Sequence, residues 1–419
     1  MWLRLVASFW IAVSTVHAAI RVETLVPQPI RIRLEDLPRP YQTASAEKYP
    51  RIVPPPKDPV LHLPQGFQLT VLADGLDSPR WIVPGPNGSL FVAESYSGRI
   101  WLLELEAGRS TGIRRHLFAP EGIGLREPFG MAWDEHWFYV ACTDRLLRFP
   151  YEPGQTFLKG KGSVLAVYPG GGHWTRSLVL SPDGTALYVG IGSAGNVGWE
   201  RSPRATVLQV PLNGSPPKVW VRGIRNPVGL AFHPVTRELW CVVNERDGLG
   251  DDLVPDYMAC LHPGEFYGWP AVYLSSHLRD PRIEIFGPKL HTLVSQTKTP
   301  EILFQAHSAP LGLAFAATET LFPPRYQNGA FVSFHGSWNR TVATGYKIVF
   351  VPFAPEGRPL GWYEDFLTGF LLDADRPIAW GRPTGLAVLP GKGVVFSDDA
   401  SGRIYLISYG ASGKPSVAP

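Results

Sequence analysis

Three cysteines in 419 residues, Cys142, Cys241 and Cys260, allow at most one disulfide and exclude a disulfide-built scaffold. Their spacing forms no metal-binding pair. Cys142 and Cys241 sit inside apolar strand-like runs, so buried free thiols are expected. Charge is also sparse: 18% of residues are charged and the net charge is +3. No block of Lys and Arg stands out, which argues against a nucleic-acid surface. Past the N-terminus no apolar run is long enough for a membrane span. There is no Ser/His/Asp elbow, no P-loop, no CxxC pair, and no GxGxxG between a strand and a helix.

What is abundant is Gly (43) and Pro (42), spread along the whole chain, with 45% hydrophobic residues. This composition fits a packed chain of short strands and many tight turns. A pattern recurs: an apolar triplet, a turn, then an alternating strand ending in a small or acidic residue. Its copies begin at Trp81, Gly130, Leu178, Gly229, Gly312 and Gly385. The first four recur roughly every 50 residues, the size of one propeller blade. Such a sheet cannot bury both faces alone, and a ring of sheets solves that. The expected fold is all-β, a six-bladed β-propeller of four-stranded antiparallel blades. GRIYLISY (Gly402 to Tyr409) parallels GRIWLLEL (Gly98 to Leu105), so the ring is expected to close by sharing strands between the two ends.

The expected divisions are a signal peptide over 1–18, an extended arm over 19–60, the propeller over 61–410 and a tail over 411–419. Arg4, the apolar run Leu5 to Val16 and the small residues Ala18 and Ala19 carry the first of these, and with it an exported protein: secreted, or periplasmic in a Gram-negative cell.

Ligands of propellers lie at one mouth of the central channel, so polar segments at strand ends are the candidates. GGGHWTR (Gly170 to Arg176) places His173 after a glycine run. A neutral His is a general base near pH 7 if a reacting proton is in reach, and a structural loop residue otherwise. GIRNPVG (Gly223 to Gly229) holds Arg225 and Asn226, where the guanidinium fork suits a planar polycarboxylate or braces a turn. NERDGLGDDLVPD (Asn244 to Asp256) offers carboxylates and turn carbonyls for a hard cation such as calcium, without EF-hand spacing, or is a solvated acidic loop. FHGSWNR, AWGRPTG and AHSAPLG add Arg340, Arg382 and His307. Several cations at equivalent positions imply one anionic ligand. Trp174, Trp199, Tyr267, Trp269 and Trp338 lie in or near these loops, either as sugar-stacking faces or as core. Asn339-Arg-Thr is a glycosylation sequon, disfavoured here because it adjoins a candidate site residue.

Together these segments resemble the soluble quinoprotein glucose/sorbosone dehydrogenase family, in its sorbosone- and pyranose-dehydrogenase-like branches, from Leu63 to about Tyr409. The resemblance implies a PQQ- and calcium-dependent oxidoreductase that oxidises an aldose or sugar-derived aldehyde at the anomeric carbon. It gives His173 as the general base and Asp252 as the acid that orients it. Arg225, Asn226, Arg340 and Arg382 would hold pyrroloquinoline quinone (PQQ), and the carbonyls of Asp247 and Gly248 would bind Ca2+. The implied partners are a small sugar and an external electron acceptor, quinone or cytochrome-like. Two departures stand out: GLREPFG (Gly124 to Gly130) replaces a polar loop, and Thr384 replaces a second Arg. A calcium-dependent propeller lactonase and a non-catalytic propeller binding module are the alternatives.

Overall fold

The computed structural model describes residues 19–105, 113–316 and 321–410. The expected signal peptide and C-terminal tail lie outside them. The fold is all-β: eight sheets, six of them four-stranded and antiparallel, with one α-helix, Gly287–Ser295, among the described residues. Each of the six follows the chain as an up-and-down meander. The first contains Trp81–Pro84, Leu90–Glu94, Arg99–Leu105 and Ile113–Ala119. The next four are led by Met131–Trp133, Leu178–Leu180, Asn226–Phe232 and Pro310–Phe315. The sixth runs Pro383–Leu389, Gly393–Asp398, Arg403–Tyr409 and is completed by Phe67–Ala73 from the other end of the chain, with Tyr409 opposite Phe67. The expected closure by shared strands is thus present.

Each leading strand touches the leading strand of the sheet on either side, and the first touches the sixth. The ring they make encloses an axial cavity of about 440 Å³ lined from all six, with Val83, Ala132, Val179, Ala231, Ala314 and Ala387 among its residues. The recurrent glycine of the repeat explains how the strands come so close. A Cβ at Gly229 would lie 2.6 Å from Leu311 O, one at Gly312 2.5 Å from Thr384 O, and one at Gly130 2.3 Å from Leu178 N. Adding a methyl there pushes two sheets apart. Gly312→Ala is expected to destabilise the protein by about 1–3 kcal/mol, the usual range for overpacking. Gly195→Ala, at a position with nothing within 4 Å, should stay within about 0.5 kcal/mol. Denaturant midpoints compare the two; equal midpoints would remove the steric account of the repeat.

The spaces between sheets are filled by aromatic and branched side chains, such as Phe91, Phe118 and Phe138, whose ring centroids lie 4.7–4.8 Å apart. The arm lies on this body. Arg21–Leu25 pairs in parallel with Val60–Pro64, and Arg51–Ile52 with Ile378–Ala379. Between them Tyr41 N donates to Leu249 O, Thr43 Oγ1 accepts from Asp251 N, and Tyr49 stacks on Trp338 at 5.2 Å. Cys142 and Cys241 are buried free thiols, as expected, and Cys260 is one as well.

Candidate functional site

In a meander the start of the leading strand and the end of the second strand share one edge. Arg80, His173, Arg225, Asn226, His307 and Arg382 stand just before or at the start of leading strands. Glu94, Ser193, Asp247, His335 and Asp399 end or follow second strands. All therefore gather at one mouth of the ring.

His173 is held by its own strand's neighbour. Its ring Nδ1 lies 3.0 Å from Ser193 O and 3.0 Å from Ser193 Oγ, and its backbone N–H donates to the same carbonyl. A carbonyl only accepts, so Nδ1 carries the proton and Nε2 keeps a free lone pair. Burial first, then the Arg225 charge, lowers the His173 pKa to about 4. The imidazole is neutral at pH 7. Gly192 lets this ring approach Asn226, since a Cβ there would lie 2.5 Å from His173 Cβ and 2.6 Å from Asn226 Oδ1.

Asn226 Oδ1 is buried and has no hydrogen-bond partner among the described residues. Such an orphaned acceptor is costly and marks a place where a donor is missing. Arg225 is buried and turned toward protein: Nε donates to Asn196 O (3.0 Å), Nη1 to Asn244 O (3.2 Å), and Nη2 to Asn196 Oδ1 (3.1 Å) and Asp247 Oδ2 (3.2 Å).

Asp247 is the centre of that network. Burial pushes its carboxyl up, but the bond to His307 and the charge of Arg225 outweigh it and hold the pKa below the usual range. Asn339 Nδ2 donates to Asp247 Oδ1 and also lies 3.1 Å from His307 Nδ1. His307 Nε2 donates to Gly250 O at 3.0 Å. The Asp247 carbonyl, expected to face a cation, accepts instead from Arg282 Nη1 (2.8 Å) and Asn196 Nδ2 (3.0 Å). The Gly248 backbone, at φ +87, lies against the same guanidinium.

Arg340 and Asp252 stand apart from the others and meet each other. Arg340 Nη2 donates to Asp252 Oδ1 at 2.7 Å, and Nη1 donates to Asp251 O. Asp252 was expected to orient His173; its carboxylate is half exposed on the rim, and Ser193 orients the ring.

Across the mouth a second charged group joins three sheets. Arg80 Nη1 donates to Asp399 Oδ2, and His335 Nε2 lies 3.0 Å from both Asp399 oxygens. Burial, then the charge of Arg382, lowers the His335 pKa to about 4. Asp399 would be pushed up by burial, but His335 and Arg80 hold it well below the carboxylate range. Arg80 lies over the Trp174 ring at 5.5 Å, and its buried Nε has no partner among the described residues. Arg382 lies over Tyr346 at 5.6 Å and donates to His335 O and Gly336 O, leaving Nη1 without a hydrogen bond among the described residues.

Thr384, in the place of the second Arg, is buried in the ring wall and bonded to Ser397. Tyr267 and Trp269 belong to the core, whereas Trp174, Trp199 and Trp338 retain exposure. Asn339 is buried, so its sequon is out of reach of glycosylation in the folded chain.

Sequence reasoning missed Arg80, Ser193, Asn196, Arg282, His335, Asn339 and Asp399. Arg80 had a signal: it precedes its leading strand as Arg225 and Arg382 precede theirs.

The TrAA12-like family model matches residues 61–265 and 291–410. A Borreliella burgdorferi protein of uncharacterised function is 28% identical over 369 residues, 83% of this chain and 91% of that one. The pyrroloquinoline quinone-dependent pyranose dehydrogenase of Coprinopsis cinerea is 23% identical over 421 residues, 83% of this chain and 54% of that protein, so the chain spans about half its length. The Trichoderma reesei family AA12 structure shares the fold, with TM-score 0.71 and 22% identity over 86% of this chain and 99% of that one.

Proposed function

Because the chain belongs to the TrAA12-like family, we propose that it is a PQQ-dependent sugar oxidoreductase on a six-bladed β-propeller. The six four-stranded sheets in a closed ring support the blade count. The observation that carries the activity is His173: neutral, with its free Nε2 at the mouth beside Asn226.

The mouth suits a planar tricarboxylate. Arg80 and Arg382 keep unused N–H groups, and the orphaned Asn226 Oδ1 awaits a donor. Arg80, Arg382 and Asn226 would hold PQQ; Arg225 braces the floor beneath it through Asn196 and Asp247. PQQ, when bound there, would supply the hydride-accepting chemistry for oxidation at the anomeric carbon. His173 Nε2 takes the proton from the anomeric hydroxyl as that hydride leaves. Ser193 O fixes the tautomer, and Asp247 lies near enough to stabilise the imidazolium. Trp174, against Arg80 and Tyr96, offers a face for a sugar ring.

Arg340 and Asp252 have no role in this reading beyond fixing the rim loop. The oxygens of Asp247 are engaged by Arg225, Asn339, Arg282 and Asn196, so calcium does not fit there and no metal step is included. The apolar segment Leu5 to Val16 supports export. An external acceptor, a quinone or a cytochrome, would reoxidise the cofactor.

Titrating the purified protein with PQQ by calorimetry, then adding aldoses with an artificial acceptor, tests the reading. Binding in the micromolar range or tighter, and reduction by a sugar, are expected. The acid limb of kcat/KM should fall near pH 4–5, because burial holds the His173 pKa near 4 and protonation removes the base. The same shift has a sign for stability. The unfolded His binds its proton near 6.5 and the folded one near 4, so stability is full above pH 6.5 and declines as pH falls through that window. No binding at tens of micromolar would leave the fold and remove the activity.

A further inference from the structure

The carbonyl that the resemblance assigns to calcium faces a fixed positive charge supplied by the chain itself. Arg282 Nη1 lies 2.8 Å from Asp247 O. The guanidinium is pinned from behind: Nε donates to Asp280 Oδ1 (2.9 Å) and Nη2 to Asp280 Oδ2 (2.8 Å). Asp280 is fully buried and accepts a further bond from the equally buried Arg246 (3.1 Å). This bidentate fork cannot swing away without breaking two charge-assisted bonds to a buried carboxylate, which would keep only Arg246 and a backbone N–H as partners.

Calcium needs six to eight oxygens at about 2.3–2.6 Å. A carbonyl has two lone pairs, and those of Asp247 O face Arg282 and Asn196. The carboxylate oxygens of Asp247 face Arg225 and Asn339. A side chain at Gly248 would meet Arg282 Nη1 at 3.1 Å, so the neighbouring backbone is covered by the same group. A divalent ion here would overlap the guanidinium and be repelled by it.

We propose that Arg282 stands in place of the divalent cation, and that this protein takes up its anionic ligand without a metal. Among the described residues three of the five guanidinium N–H groups are used, and one on each Nη remains to donate to an anionic oxygen. The second half of the proposal rests on the PQQ reading; the first does not.

Two measurements separate them. Terbium luminescence and calcium calorimetry on the cofactor-free protein need no quinone. No site tighter than about millimolar is expected, the weak end of calcium affinities. A micromolar site lost in Asp247→Ala would overturn the proposal. PQQ titration with and without EGTA is expected to give affinities within twofold, and Arg282→Gln to weaken binding at least tenfold. A tenfold loss with EGTA in the unmodified protein would overturn the proposal too. If PQQ binds under neither condition, the functional reading falls while the metal titration still decides whether Arg282 excludes the cation. Arg282→Lys, which keeps charge but not the fork, is expected to retain metal exclusion.

Discussion

His173→Ala is expected to leave PQQ affinity within about twofold and to lower turnover by at least ~10², the scale of general-base catalysis. The size follows from what the ring does. Its Nδ1 is committed to Ser193 O, so Nε2 is the atom presented to solvent and substrate. Burial keeps it unprotonated down to a pH near 4. Water can fill the space left by the ring but has no fixed lone pair at that point. Pre-steady-state reduction of the bound quinone measures the step directly, since reoxidation is then excluded. The residual rate of the variant should also lose its acid limb. Turnover equal to that of the unmodified protein would end the assignment of His173 as base, whatever the substrate.

Arg246→Met is expected to cost roughly 3–5 kcal/mol of stability, the effect of breaking a buried ion pair from one side. Arg246 is wholly buried and donates to Glu245 Oε2 (2.8 Å), Asp280 Oδ2 (3.1 Å), Pro270 O (2.7 Å) and Val272 O (2.8 Å). Its removal leaves the buried Glu245 carboxylate with only the backbone N–H of residue 246 on Oε2 among the described residues, and weakens the hold on Asp280. Methionine fills the space along the Tyr273 ring, so the loss is one of charge and hydrogen bonds more than of volume. Urea unfolding followed by tryptophan fluorescence gives the comparison. A change under about 1 kcal/mol would show that the network is dispensable for the fold.

The ring was legible because its cause is local. A glycine that lets two backbones touch recurs in the leading segment of four of the six sheets, at Gly130, Gly229, Gly312 and Gly385. The alternating strands that follow are equally local. The residues that meet at the mouth were legible for a related reason: His173, Arg225, Asn226 and Arg382 all lie just ahead of or at the start of a leading strand, and one rule of connectivity brings them together. Pairings between distant segments were not legible. Asp252 and His173 were matched through their motifs, but the loop carries Asp252 outward to Arg340, and the orienting group comes from Ser193, twenty residues from the ring it holds. Arg282 and Asp247 are 35 residues apart in a stretch without periodicity. Nothing in composition or spacing announces that a guanidinium will rest on a given carbonyl. The arm shows the same limit: Pro and charge marked it as extended, while its partner strands could not be named.

The strand Phe67–Ala73 completes the sheet that ends at Tyr409. A chain emerging from a ribosome or an export channel in N-to-C order therefore carries the first sheet with one side bare until the segment through Tyr409 has appeared. Arg80 and Asp399 face each other across that seam, so the second charged group of the mouth forms only at closure. A truncated or stalled product can build most of the wall, but it cannot assemble the pocket.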